Sequence, residues 1–234
     1  MISIVMPAHN EADFLDASVR AVVAGLRGSQ PDGEVVVVEN GSTDATVAVA
    51  ERLAGELPGV KVLSLPRPDY GAALRAGFLA AQGDIVVNFD VDYYDMDFLD
   101  AAVALIRRPG GPDVVVGSKR AAGSSDERAL PRRLITAAFA LVLRRGFGLG
   151  VSDTHGIKAM RREPLLPLVS RCRVATDLFD TELVLRAERA GLDVTEVPVA
   201  VRESRPSRTS IFRRGVRSVG GLARLRLALW QDRV

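Results

Sequence analysis

Gly83-Asp84-Ile85-Val86-Val87-Asn88-Phe89-Asp90-Val91-Asp92 is the stretch from which the rest of the chain can be read. An apolar run of this length, opened by a Gly-Asp turn, predicts a buried strand. Residues i and i+2 of a strand point to one side, so Asp90 and Asp92 face a common space where the sheet ends. Two carboxylates held that way repel unless a cation lies between them or one is protonated. A solvated turn, in which aspartate is common, would give the same pattern. The flanking sequence has to separate the two readings.

Upstream, strand and helix patterns alternate. Strands are predicted over Ile2–Met6, Glu34–Val38, Val60–Leu65 and Asp84–Phe89, and helices over Glu11–Leu26, Ala45–Leu57 and Gly71–Gln82. Ser42 or Thr43 is the expected cap of the second helix. Strands written as solid Val/Ile runs between helices predict an α/β fold, a mainly parallel sheet covered on both faces. Such sheets bind ligands beyond the carboxyl ends of their strands. Those ends carry Ala8-His9-Asn10-Glu11, Glu39-Asn40-Gly41-Ser42, Pro66-Arg67-Pro68-Asp69 and Asp90-Val91-Asp92.

Downstream the pattern is less regular. Strands are predicted at Asp113–Val116, Gly156–Met160 and Val194–Val201, the last broken at Pro198, with helices at Pro131–Arg145 and Asp177–Ala190. The uncharged stretch Leu134–Leu143 is half the ~20 residues a bilayer span needs, leaving a core helix or an interfacial one. The 234 residues suit one domain, with 47% hydrophobic and 26% charged side chains as in soluble proteins. The single Cys172 excludes an internal disulfide and suits a reducing compartment. The N-terminus has neither the basic segment nor the apolar length of a signal peptide. Net charge is +2, yet Arg202–Val234 alone holds nine Arg against Glu203 and Asp232. That imbalance points to an anionic partner. Nucleic acid is not expected, because only Phe212 and Trp230 interleave the basic tail.

In order along the chain, Val5-Met6-Pro7-Ala8-His9-Asn10-Glu11, Glu39-Asn40-Gly41-Ser42-Thr43-Asp44, Asp69-Tyr70-Gly71 and Asp90-Val91-Asp92 resemble the motifs of family 2 glycosyltransferases of GT-A fold. The later blocks Val116-Gly117-Ser118-Lys119-Arg120, Ser152-Asp153-Thr154-His155-Gly156, Phe179-Asp180-Thr181-Glu182 and Arg202…Arg205-Pro206-Ser207-Arg208-Thr209-Ser210 are similar to polyprenyl-phosphate (dolichol-phosphate) mannosyltransferases. Glu39, Asn40, Asp69 and Ser207-Arg208-Thr209 depart from the usual residues. The resemblance implies a GT-A domain over residues 1–212 and a basic amphipathic tail over 213–234. It implies a metal site, Mg²⁺ or Mn²⁺ on Asp90 and Asp92, beside the diphosphate of a nucleotide-sugar donor of GDP-mannose or UDP-glucose type. Pro7, Asn10, Glu11, Glu39, Gly41, Ser42, Asp69 and Asp90 would bind the donor. Glu11 could equally be a helix-start charge.

An alkyl phosphate acceptor is already anionic and needs no general base, only placement and charge neutralisation. Arginine suits that task, and Arg120, Arg133, Arg202 and Arg205 are the candidates, with Asp92, Arg120 and Arg202 the expected catalytic set. A neutral hydroxyl acceptor would need a base instead, Asp180 or Glu182. His9 and His155 lie inside motifs, at positions where the family varies. The leading expectation is transfer to a polyprenyl phosphate with inversion, by a cytoplasmic protein at the inner face of the membrane. A soluble enzyme with a small phosphorylated or sugar acceptor, and a non-catalytic nucleotide-sugar-binding protein, are the alternatives.

Overall fold

The computed structural model describes residues 1–30, 32–121, 124–126, 130–154, 156–174, 178–201 and 211–231. Their order is β1 (Ile2–Ala8), α1 (Ala12–Ser29), β2 (Glu34–Asn40), α2 (Thr46–Glu56), β3 (Val60–Leu65), α3 (Tyr70–Ala80), β4 (Ile85–Asn88), α4 (Met96–Arg107), β5 (Val114–Ser118) and β6 (Ser125–Asp126). There follow α5 (Leu130–Phe147), β7 (Lys158–Arg161), α6 (Arg162–Arg171), α7 (Phe179–Arg189), β8 (Val194–Pro198), β9 (Ala200–Val201) and α8 (Ile211–Gln231).

Seven strands form one sheet in the order β3-β2-β1-β4-β7-β5-β8, and β6 pairs with β9 beside it. All neighbours in the sheet are parallel except β7, which runs against both β4 and β5. The antiparallel insertion matters for the site. It brings the first residue of β7, Lys158, to the edge where the other strands end, in register with Asn88 on one side and Val116 on the other.

Alternation along the strands builds two cores. Ile4, Met6, Val35, Val37 and Val87 meet Leu15, Val19, Leu53, Leu99 and Ile106 of α1, α2 and α4. Val5, Val36, Val86 and Val114 meet Leu74, Phe78, Leu165, Phe179 and Leu183 of α3, α6 and α7. Each side chain so buried contributes ~1.5–3 kcal/mol relative to exposure. α3 lies unusually close to β1 and β2, because a Cβ on Gly77 would stand 2.3 Å from Val5 Cγ1 and 3.0 Å from Val38 Cγ2.

Three expectations change. α2 starts from Ala45 rather than from a serine or threonine cap: Asp44 Oδ1 accepts from Thr46 N at 2.9 Å, while the Ser42 hydroxyl accepts from Asn10 N at 3.0 Å. α4 was not expected, although Asp95 caps it (Oδ1 accepts from Phe98 N, 2.9 Å) and Phe98, Leu99, Ala102, Val103 and Ile106 line its buried face. α6 was not expected either, since Pro167 sits inside it. No helix among the described residues is long and apolar enough to cross a membrane. α5 buries Ala140 and Leu143 but exposes Leu141 and Val142, and α8 buries Leu225, Ala228 and Leu229 while exposing Leu227 and Trp230.

Candidate active site

The turns after β1 and β2 are locked together by side-chain-to-backbone bonds. Asn10 holds φ +55°, a left-handed conformation that asparagine tolerates better than most residues. Its Oδ1 accepts from Thr43 N at 2.8 Å. Asn40 bridges three segments: its Nδ2 donates to Ala8 O at 2.9 Å and its Oδ1 accepts from Asp69 N at 3.0 Å. His9 Nδ1 lies 2.9 Å from Asn40 O, so His9 belongs to this scaffold. Gly41 has φ +65°, and a Cβ there would lie 2.7 Å from the backbone of Arg67 and Pro68. Asn10, Asn40 and Gly41 thus hold these turns against one another.

Among the expected donor-binding residues, Pro7 is buried within β1. Glu39 is 2% exposed and accepts from Ser42 N. Glu11 N donates to Thr46 Oγ1 at 2.8 Å where α1 begins. Asp69 caps α3 through Ala72 N at 2.9 Å. These contacts gather Asn10, Glu11, Glu39, Gly41, Ser42 and Asp69 at one end of the sheet.

Asp90 stands one strand away, past the end of β4. The hydroxyl of Tyr70 donates to its Oδ1 at 2.9 Å, and its backbone bridges to Tyr93. Burial pushes its carboxyl up to about 6; the Tyr70 hydrogen bond opposes this, the charges of Asp180 and Asp92 add to it, and Lys158 opposes it. Asp92 is exposed beside it. Lys158, fully buried, lies 2.9 Å from Asp180 Oδ1 and donates to Gly156 O at 2.6 Å. Asn88 Nδ2 donates to the same carbonyl at 3.2 Å. Lys158 and Lys119, which pairs with Asp153 at 3.4 Å, escaped the sequence reading. Lys119 was quoted within a motif beside Arg120, and Lys158 was one residue of a short strand. A buried lysine leaves no periodic signal.

The other candidates separate. Asp180 joins Asp90 and Lys158. Glu182 is fully buried, pairs with Arg186 at 2.6 Å and accepts from Arg173 N and Val174 N, which ties α7 to the segment after α6. Arg120 is exposed at the end of β5, with its backbone N bonded to Ser118 Oγ at 3.2 Å. Arg133 falls within α5, its side chain outside the described ones, and Arg202, Arg205 and His155 lie outside the described residues.

Three buried acids near this edge are matched by cations. Asp153, Asp180 and Glu182 pair with Lys119, Lys158 and Arg186. Asp90 has a tyrosine hydroxyl, and no described basic side chain forms an ion pair with it. No group of three His, Cys, Asp or Glu able to hold a metal occurs among the described residues. Two carboxylates alone fit a hard cation that draws its remaining oxygen ligands from phosphate and water.

A mainly parallel sheet with an acidic turn beyond β4, and backbone-lined turns beyond its neighbours, defines a domain of the GT-A class. Residues 3–167 match the family described as glycosyl transferase family 2, and the chain belongs to that family. It is 35% identical over 206 residues to glycosyltransferase AglD of Haloferax volcanii, covering 85% of the chain but only 32% of that protein, so it spans about a third of that relative. It is 27% identical over 221 residues to a dolichyl-phosphate beta-glucosyltransferase of Trichomonas vaginalis, covering 90% of the chain and 68% of the relative. Among solved structures, glucosyl-3-phosphoglycerate synthase of Mycobacterium tuberculosis, in complex with Mn²⁺, UDP and phosphoglyceric acid, superposes with TM-score 0.72 at 27% identity over 97% of this chain and 78% of that one.

Proposed function

We propose that this domain transfers a sugar from a nucleotide-sugar, of GDP-mannose or UDP-glucose type, to a phosphate oxygen, with a polyprenyl phosphate as acceptor and inversion at the sugar. The observation that carries this reading is the pairing of the two candidate bases. Asp180 is held by Lys158 and Glu182 by Arg186. A carboxylate engaged in a buried ion pair is occupied by its cation rather than free to meet an acceptor hydroxyl. A phosphate acceptor arrives as an anion and needs no base. Arg120, Arg133, Arg202 and Arg205 are the residues assigned to neutralise and orient it, and Arg120, Arg202 and Asp92 remain the proposed catalytic set.

Asp90 and Asp92 would hold Mg²⁺ or Mn²⁺, which neutralises charge on the departing diphosphate when bound. The chain's own residues do the rest. Tyr70 fixes the Asp90 carboxylate, and the Asn10, Asn40 and Ser42 bonds shape the turns against which Pro7, Glu11, Glu39, Gly41 and Asp69 would seat the nucleoside.

Support for a lipid acceptor comes from the surface and from a relative. α5 and α8 expose Leu141, Val142, Leu227 and Trp230 beside Arg144, Arg145, Arg224 and Arg226, a pairing of apolar and cationic groups that suits an anionic membrane surface. The Trichomonas relative carries a dolichyl-phosphate name. A soluble phosphorylated acid is the second reading, favoured by the mycobacterial structure with phosphoglyceric acid, which matches 97% of this chain.

Incubation with labelled UDP-glucose and GDP-mannose, Mn²⁺, and either a polyprenyl phosphate in detergent or 3-phosphoglycerate separates the two. Label entering the organic phase supports the lipid reading, and label in a water-soluble phosphoacid replaces it with the second. Donor binding without any product would make the domain a nucleotide-sugar-binding one.

A further inference from the structure

We infer that Lys158 is a positioning residue that sets the charge of the metal site, an inference resting on the assignment of a divalent cation to Asp90 and Asp92. Asn88 closes β4, and Asp90 follows two residues later, just past the end of the strand. Lys158 is the direct cross-strand partner of Asn88 on β7. Asp180 reaches down from α7 onto the Lys158 ammonium, 2.9 Å away, with both side chains within 3% of complete burial. The Gly156 carbonyl, shared by Lys158 at 2.6 Å and Asn88 at 3.2 Å, fixes the ammonium at this edge. Asn88 Oδ1 is buried with no hydrogen-bond partner among the described residues.

The consequence is one of charge count. Asp90, Asp92 and Asp180 bring three negative charges to this corner, and Lys158 brings one positive charge. The remainder is two negative charges, which a single divalent cation balances. Without Lys158 the corner would carry more negative charge than one such ion neutralises; without Asp180 it would carry less. Lys158 touches neither donor nor acceptor in this account and acts through Asp180 and the field at Asp90.

The test is a charge cycle read by calorimetric titration of the purified chain with Mn²⁺ alone, so that turnover plays no part. Lys158→Met should tighten Mn²⁺ binding about tenfold and Asp180→Asn should weaken it about tenfold, the scale of a unit charge acting through a partly water-screened site. Lys158→Met with Asp180→Asn should return affinity to within about threefold of wild type. Lys158→Met alone leaves a buried carboxylate unpaired and can unfold the chain. The double variant replaces the ion pair with two neutral groups and keeps the fold, so if the single variant is unfolded, Asp180→Asn against the double variant decides. Weakening by Asp180→Asn that the added Lys158→Met reverses supports the inference. No weakening, or weakening that the second substitution does not reverse, overturns it while leaving the metal site standing. Absence of Mn²⁺ binding by the wild-type chain, with and without UDP or GDP, would overturn the metal assignment itself and this inference with it.

Discussion

At the scale of single residues, the protein carries one acid out of balance with its surroundings. The Asp90 carboxyl lies at about 6, above its ordinary 3.8, chiefly through burial. The fold therefore favours the protonated form. That contribution is fully present below about pH 4 and is lost as pH rises through 6, so at neutral pH the ionised group works against folding. A shift of this size corresponds to ~3 kcal/mol at full burial, less here because Asp90 keeps some contact with solvent. In metal-free protein, Asp90→Asn should raise the Tm at pH 7.5 by ~2–6 °C, and the gain should shrink toward zero as the pH is lowered to about 4. Thermal melts in EDTA at the two pH values check this, and an equal gain at both would remove the electrostatic cause. The sequence carried Asp90 and Asp92 in plain sight because they close a strand. It did not disclose that Tyr70 bonds to Asp90, nor that the charge of Lys158 acts on it. Both contacts join segments far apart in the chain, and a strand position says nothing of which partner an inserted antiparallel strand will bring.

At the scale of elements, the parallel half was legible because strands buried on both faces must be apolar throughout, so Val35–Val38 and Ile85–Val87 announce themselves. α6 was hidden by Pro167 and α4 by the acidic run around Asp95, whose capping role competes with a turn reading. α8, expected as part of a basic amphipathic tail, packs Leu225, Ala228 and Leu229 into the second core. Deleting it would therefore damage the fold as well as any membrane contact. A cleaner probe is Leu227→Glu with Trp230→Glu, two exposed positions. The pair should cut binding to vesicles containing anionic lipid by about tenfold or more, with the Tm changed by less than ~2 °C. Vesicle flotation and a melt measure the two effects, and undiminished flotation would remove α8 from the lipid contact.

At the scale of the whole molecule, function follows from where the strands end. Six strands of the main sheet finish at one edge and β7 begins there, so segments far apart in the chain line the edge at which Asp90 stands. The fold places the backbone-lined turns of β1 and β2 on one side and the ion pair of Lys158 on β7 with Asp180 on α7 on the other. Family membership follows from residues 3–167, whereas the proposed acceptor contacts rest on arginines that no local pattern distinguishes from a solvated surface. The central claim is that Asp90 and Asp92 hold the cation on which donor cleavage depends. The most direct measurement is the rate of sugar transfer from the accepted donor by the wild-type chain in Mn²⁺, in EDTA, and by Asp92→Ala in Mn²⁺. The account predicts that both EDTA and Asp92→Ala lower the rate at least ~100-fold, the loss expected when several kcal/mol of leaving-group stabilisation are removed, with the circular dichroism spectrum unchanged. Transfer by Asp92→Ala in Mn²⁺, or by the wild type in EDTA, at the full wild-type rate would contradict it.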